Sequence, residues 1–144
     1  MLPAGTVAVT GAGSMLVLQP GAELACGGDL VLTNGASMMV YSGPTNGVPG
    51  DCGAKVDVTG TLRIATNCWV YPYARGTDDS APLFNVGSLR IAPGGGFNAN
   101  AAGYRESLGC GKGGGPGAWC AGAGHGGKGG RGSATTYLEG KAYG

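Results

Sequence analysis

Charge is scarce in this sequence. Asp, Glu, Lys and Arg make up 12% of 144 residues, and the formal net charge is +1. That is about half the usual charged share. So even a balance provides no global field to gather nucleic acid or a membrane surface, and neither nucleic-acid binding nor membrane insertion is expected. Long apolar runs are missing as well: none approaches the ~20 residues of a membrane-spanning helix. The opening Met1-Leu2-Pro3-Ala4-Gly5 lacks the basic region and apolar block of a signal peptide. The chain reads as a mature or excised portion of something longer. Helical periodicity never lasts two turns. No Asn has Ser or Thr two positions on, so no N-glycosylation acceptor exists. There is one His, no Gly-x-Ser-x-Gly elbow, and no Lys followed by Ser or Thr as a phosphate loop requires.

The five cysteines, Cys26, Cys52, Cys68, Cys110 and Cys120, are separated by 26, 16, 42 and 10 positions. No CxxC pair exists, which argues against a zinc site. Five Cys in a low-charge, Gly-rich chain point to an extracellular disulfide protein with one thiol left over. Spacing leaves the pairing open.

Glycine is abundant, 33 of 144 residues, and 13 of these fall among the 24 residues from Gly109 to Gly132. The second half of that stretch runs in triplets: Gly124-His125-Gly126, Gly127-Lys128-Gly129, Gly130-Arg131-Gly132. A period of three matches polyproline II, with a rise of ~3.1 Å per residue. Two faces would then be bare backbone, open to close approach by another chain. The third face would carry His125, Lys128 and Arg131. Trp119, Cys110 and Cys120 are poor residues for a solvated linker, since all three prefer burial. The expectation is an ordered arm whose assembly contacts involve Trp119, Gly124, His125, Gly127, Lys128, Gly130 and Arg131. The competing expectation is a flexible linker.

Residues 5 to 100 hold short β-like runs bounded by Gly, Asn or Pro. They are Val7–Thr10, Met15–Leu18, Glu23–Cys26, Leu30–Thr33, Met38–Tyr41, Lys55–Val58, Leu62–Ile64, Cys68–Tyr71, Leu83–Val86, Leu89–Ile91 and Phe97–Ala99. One phrase recurs: Gly28-Asp29-Leu30-Val31-Leu32, Gly60-Thr61-Leu62-Arg63-Ile64, Gly87-Ser88-Leu89-Arg90-Ile91, at steps of 32 and 27 residues. A second is Leu18-Gln19-Pro20-Gly21-Ala22 and Ile91-Ala92-Pro93-Gly94-Gly95. Self-similarity at this period marks a solenoid. Alternation places Leu62, Ile64, Leu89 and Ile91 inside, with Arg63 and Arg90 outside. An antiparallel β-sandwich is the competing fold, because strand length and turn chemistry fit both. Trp69 and Tyr71 share one strand face, read as core in preference to a sugar-stacking platform with Tyr73 and Tyr104. Residues 42–53 and 75–82 are turn-rich and read as loops.

On these two phrases, the chain resembles the right-handed parallel β-helix superfamily of secreted and surface repeat proteins. The resemblance covers residues 5 to 100, and the glycine-rich tail is similar to segments that interrupt such helices. It implies an all-β fold, a right-handed parallel β-helix with short strands over residues 1–104, then a glycine-rich extended segment over 105–144 that packs on the solenoid or a neighbour. Asp78-Asp79 and Gly124-His125-Gly126 resemble two motifs of the polygalacturonases, which are β-helix enzymes. The family's Asn-Thr-Asp is missing and no Arg-Ile-Lys follows His125, so no catalytic residue is assigned. No cofactor is expected. Calcium at Asp78 and Asp79 is the one metal considered, without EF-hand spacing to support it.

The function expected is a structural extracellular or cell-surface protein, a subunit or segment of a self-assembling filament, appendage or surface layer. Its partner would be further copies of itself. The alternative is a β-helix adhesin or carbohydrate-binding module that takes a glycan on loops 42–53 and 75–82. A polysaccharide hydrolase or lyase stands third.

Overall fold

The computed structural model describes residues 5–43, 53–75 and 80–103. All of them belong to one compact unit, Met1–Arg75 with Ser80–Gly103; a second unit, Gly76–Asp79 with Tyr104–Gly144, lies outside them. The described residues form nine strands and no helix: β1 (Val7–Thr10), β2 (Met15–Leu18), β3 (Glu23–Cys26), β4 (Leu30–Thr33), β5 (Ser37–Tyr41), β6 (Ala54–Ile64), β7 (Trp69–Tyr73), β8 (Pro82–Ile91) and β9 (Gly96–Phe97). The fold is all-β. Every pairing between these strands is parallel, which overturns the antiparallel sandwich. The runs at 55–58 and 62–64 are one bulged strand, and so are those at 83–86 and 89–91.

Two sheets result. One has the order β1-β4-β6-β3 with β8 on β6; the other runs β2-β5-β7-β9. Because β6 and β8 are long, each serves two rows. Residues 54–58 of β6 lie between β3 and 82–86 of β8, while 62–64 lie between β4 and 89–91. The chain thus returns to the same three rows on each circuit. Val7, Leu30, Leu62 and Leu89 are successive partners, 23, 32 and 27 residues apart. The two longer steps each run through residues outside the described ones, 44–52 and 76–79. Gly5-Thr6-Val7 occupies the first place of the Gly-small-Leu phrase, with Val where the later copies have Leu.

Turn chemistry bends the circuit at one repeated place. The turns 11–14, 33–36, 65–68 and 92–95 each close with an N–H donated to the carbonyl three residues earlier, at 3.0–3.2 Å. Their third residues, Gly13, Gly35, Asn67 and Gly94, all have positive φ, from 59° to 80°, as a turn with a left-handed third residue demands. The second repeated phrase is this turn in two settings. Residues 92–95 join the two sheets before β9, whereas 19–22 make a like turn, with Gly21 at φ 78°, between β2 and β3. It marks a turn type, not a repeat position.

The inward rows are apolar throughout. Leu30, Leu32, Met38, Val40, Val56, Leu62 and Val70 are completely buried, with Ile64 and Val58 nearly so. At ~25 cal/mol per Å² of apolar surface, these rows provide most of the driving force. Arg63 and Arg90 point outward and are exposed, as alternation required.

Candidate functional site

Of the residues singled out in the sequence, Trp119, Gly124, His125, Gly127, Lys128, Gly130 and Arg131 lie outside the described residues, as do Asp78, Asp79, Tyr104, Cys52, Cys110 and Cys120. Cys26 and Cys68 are described, and both are buried free thiols in this structure. Each faces the interior at a corner. The Cys26 thiol donates to the Asp29 carbonyl at 3.4 Å. Cys68 follows the turn 65–68 and takes the place that Ala36 holds one circuit earlier. Both act as small apolar residues, a common use of unpaired cysteine.

The outward face of the first sheet concentrates the charge. Lys55 Nζ lies 2.8 Å from Asp57 Oδ2 and 3.8 Å from Glu23 Oε1, across the Glu23↔Lys55 pair of β3 and β6. Asn85 Nδ2 donates to Asp57 Oδ1 at 3.1 Å from the next row. The Lys55 ammonium bonded to it holds the Asp57 carboxyl below the usual carboxylate range, and Asp57 in turn raises Lys55. An open groove of about 420 Å³ runs beside this ladder, lined by Lys55, Asp57, Thr59, Asn85 and Gly87 among others.

A second ladder fixes the corner between β6 and its neighbours. Asp29 Oδ1 accepts the Thr61 N–H at 2.8 Å, and Oδ2 accepts Arg63 Nε at 3.2 Å and Nη2 at 3.1 Å. The Thr61 amide, then Arg63, holds this carboxyl below its usual value. Gly60 and Gly87 are needed here because the backbones nearly touch. A Cβ on Gly60 would overlap Asp29 Oδ1 and lie 2.8 Å from the Gly28 carbonyl oxygen, and one on Gly87 would overlap the Thr59 oxygen. This close approach accounts for the glycine of the recurring phrase at Gly60 and Gly87.

The outward face of the second sheet is different. It presents Met15 and Val17 from β2, Ser37, Met39 and Tyr41 from β5, and Trp69, Tyr71 and Tyr73 from β7. None is charged. The core reading of Trp69 and Tyr71 is therefore corrected: Val70 between them is the buried residue, and both of its neighbours are only partly buried. Tyr41 and Tyr73 stack at 4.8 Å and 10°, one rung above the other. Such a pair adds ~0.5–1.5 kcal/mol beyond burial.

The remaining apolar surface belongs to the two ends of the rows. Val7, Val9, Leu16 and Leu24 on the first circuit, and Phe84, Val86 and Phe97 on the last, pack on the core yet stay partly exposed. Leu89 and Ile91 are 47% and 44% exposed although they continue the buried rows Leu30–Leu62 and Leu32–Ile64. Among the described residues, no strand pairs with the far side of 88–91 or with the outer side of β1.

The segments 44–52 and 76–79 depart from one corner, after β5 and after β7. Gly43 N–H donates to the Gly53 carbonyl at 3.2 Å at the base of the first, and Arg75 and Ser80 exchange 2.8 and 3.0 Å hydrogen bonds at the base of the second. Ala74 N–H donates to the Ala102 carbonyl at 2.8 Å, so the chain reaches Gly103 at this corner too. No protein-family model, curated protein or solved structure matches the chain.

Proposed function

We propose that this chain is a structural extracellular protein, a subunit or segment of a self-assembling filament, appendage or surface layer, built on a right-handed parallel β-helix. The β-helix reading is supported by three rows of parallel strands revisited in order along the chain. The right hand follows from the general rule for parallel crossovers. One observation carries the functional reading: the inward-facing apolar residues that stay partly exposed, Val7, Val9, Leu16, Leu24, Phe84, Val86 and Phe97, lie on the first and last circuits. A parallel sheet edge with an apolar interior row is an unfinished structure that another strand completes. Extracellular placement rests on composition alone, on low charge and five cysteines. No catalytic role is proposed. Asp29 and Asp57 are both held ionised by their partners, so neither offers a proton near neutral pH.

Electron microscopy of the purified protein at rising concentration tests this. Regular filaments are expected, and monodisperse particles at every concentration would remove self-assembly as the main role. The uncharged aromatic face of the second sheet favours the second reading, a carbohydrate-binding module. On that reading Trp69→Ala and Tyr71→Ala abolish retention on a glycan array, while filaments persist.

A further inference from the structure

We infer that copies of this chain join head to tail, the last circuit of one pairing in parallel with the first circuit of the next, in the register that already runs through the chain. The inference rests on the self-assembly reading and adds the surfaces, polarity and register.

The argument is one of continuity. Each row of the interior has the same kind of residue at each level. Val7, Leu30, Leu62 and Leu89 make one, and Val9, Leu32, Ile64 and Ile91 a second. Leu16, Met38, Val70 and Phe97 make a third, and Leu24, Val56 and Phe84 a fourth. In these four rows the members with a neighbour on both sides are buried and the end members are partly exposed or exposed, whereas Leu18 and Cys26, on the first circuit in two further rows, are buried. A second copy placed one strand spacing away, ~4.8 Å, sets Leu89 against Val7, Ile91 against Val9, Phe97 against Leu16 and Phe84 against Leu24. Each junction pair is then apolar on apolar. It also supplies the backbone partners that β1 and residues 88–91 lack among the described residues.

Outward positions raise no objection. Arg90 meets Ala8 in the row Ala8–Val31–Arg63–Arg90, so no like charges oppose. The opposite arrangement, first circuit against first circuit, would place two parallel edges in antiparallel contact and break the row alternation. Because the joined surfaces differ, the contact is heterologous and does not close on itself, which gives an open filament.

The test uses the full chain. Ala8→Cys is made in one preparation and Arg90→Cys in another. Both positions are exposed, so the core is untouched. Neighbouring parallel strands bring the two Cα atoms within the ~4.4–6.8 Å that a disulfide accepts. Within one chain the same positions lie three rows apart. On mild oxidation the mixture is expected to yield a cross-linked dimer that neither preparation forms alone, the single preparations accounting for the native cysteines. Thr10→Cys mixed with Arg90→Cys is out of register and is expected to yield none. Filaments without the Ala8→Cys/Arg90→Cys product would overturn this register and leave self-assembly standing. Monodisperse protein with no product would overturn both. As a second measure, Leu89→Lys, at an already exposed position, is expected to abolish the rise of sedimentation coefficient with concentration; wild-type behaviour would overturn the proposed contact.

Discussion

Asp29 and Gly60 hold the corner between successive circuits, and each sets a limit on the other. The carboxylate reaches the Thr61 amide only because Gly60 has no side chain in its way. Gly60→Ala is expected to destabilise the fold by ~1–3 kcal/mol, the usual cost of forcing a methyl into a filled site, measured as a lower urea midpoint with an unchanged slope. Acid acts on the same corner. The Asp29 and Asp57 carboxyls titrate lower in the folded chain than their ordinary value of 3.8. Their contribution is therefore present above about pH 4–5 and lost as pH falls through the folded values. Lys55 is raised above its ordinary 10.5, so its share is present below that value and disappears as pH rises through the folded one. Urea midpoints should stay level from about pH 5 to 9 and fall on both sides. Asp29→Asn should lower the neutral plateau and flatten the acid limb; an unchanged acid limb would contradict the role given to Asp29.

Strands behave according to their place in the rows, not their composition. Residues 62–64 and 89–91 carry nearly the same text, Leu-Arg-Ile in both. Yet Leu62 is completely buried and Leu89 is 47% exposed. Leu62→Ala should cost ~2–5 kcal/mol, the range for deleting a buried leucine side chain. Leu89→Ala in dilute monomer should cost clearly less. Thermal or urea unfolding of the two variants at low concentration checks this; equal losses would mean that 88–91 is as enclosed as 62–64. The two sheet faces divide the chemistry between them. The first carries ion pairs whose exposed parts contribute little individually. The second carries stacked and half-buried rings, which gain from area.

For the molecule as a whole, the number of circuits governs stability. A solenoid gains its core from neighbour-on-neighbour contacts, so the middle circuits are finished and the terminal ones are not. Head-to-tail association is expected to transfer stability to the ends. Apparent melting temperature should rise with protein concentration, as it does whenever the associated form is the folded one. A melting temperature independent of concentration over two decades would speak against association.

Much of this was legible in the residues. The positions of β1 to β8 follow from β-branched and apolar runs between Gly, Asn and Pro, with β6 and β8 each read as two runs, while the last run, Phe97–Ala99, overlaps β9 (Gly96–Phe97) only at Phe97. The inward placement of Leu62 and Ile64, with Arg63 outside, follows from the two-residue alternation of a strand. The repeated Gly-small-Leu phrase marks strands that pair in register, with glycine required by close backbone approach at Gly60 and Gly87. The first copy of the phrase was hidden because Val7 stands where the later copies have Leu. Three things were decided only in three dimensions. Cys26 and Cys68 became buried free thiols because their corners face inward. Trp69 and Tyr71 went outward because strand alternation gives Val70 the inward place, in register with Met38 and Phe97. Leu89 and Ile91 remained exposed because burial belongs to a residue's neighbours in space, and the row on their far side is not supplied by the described residues.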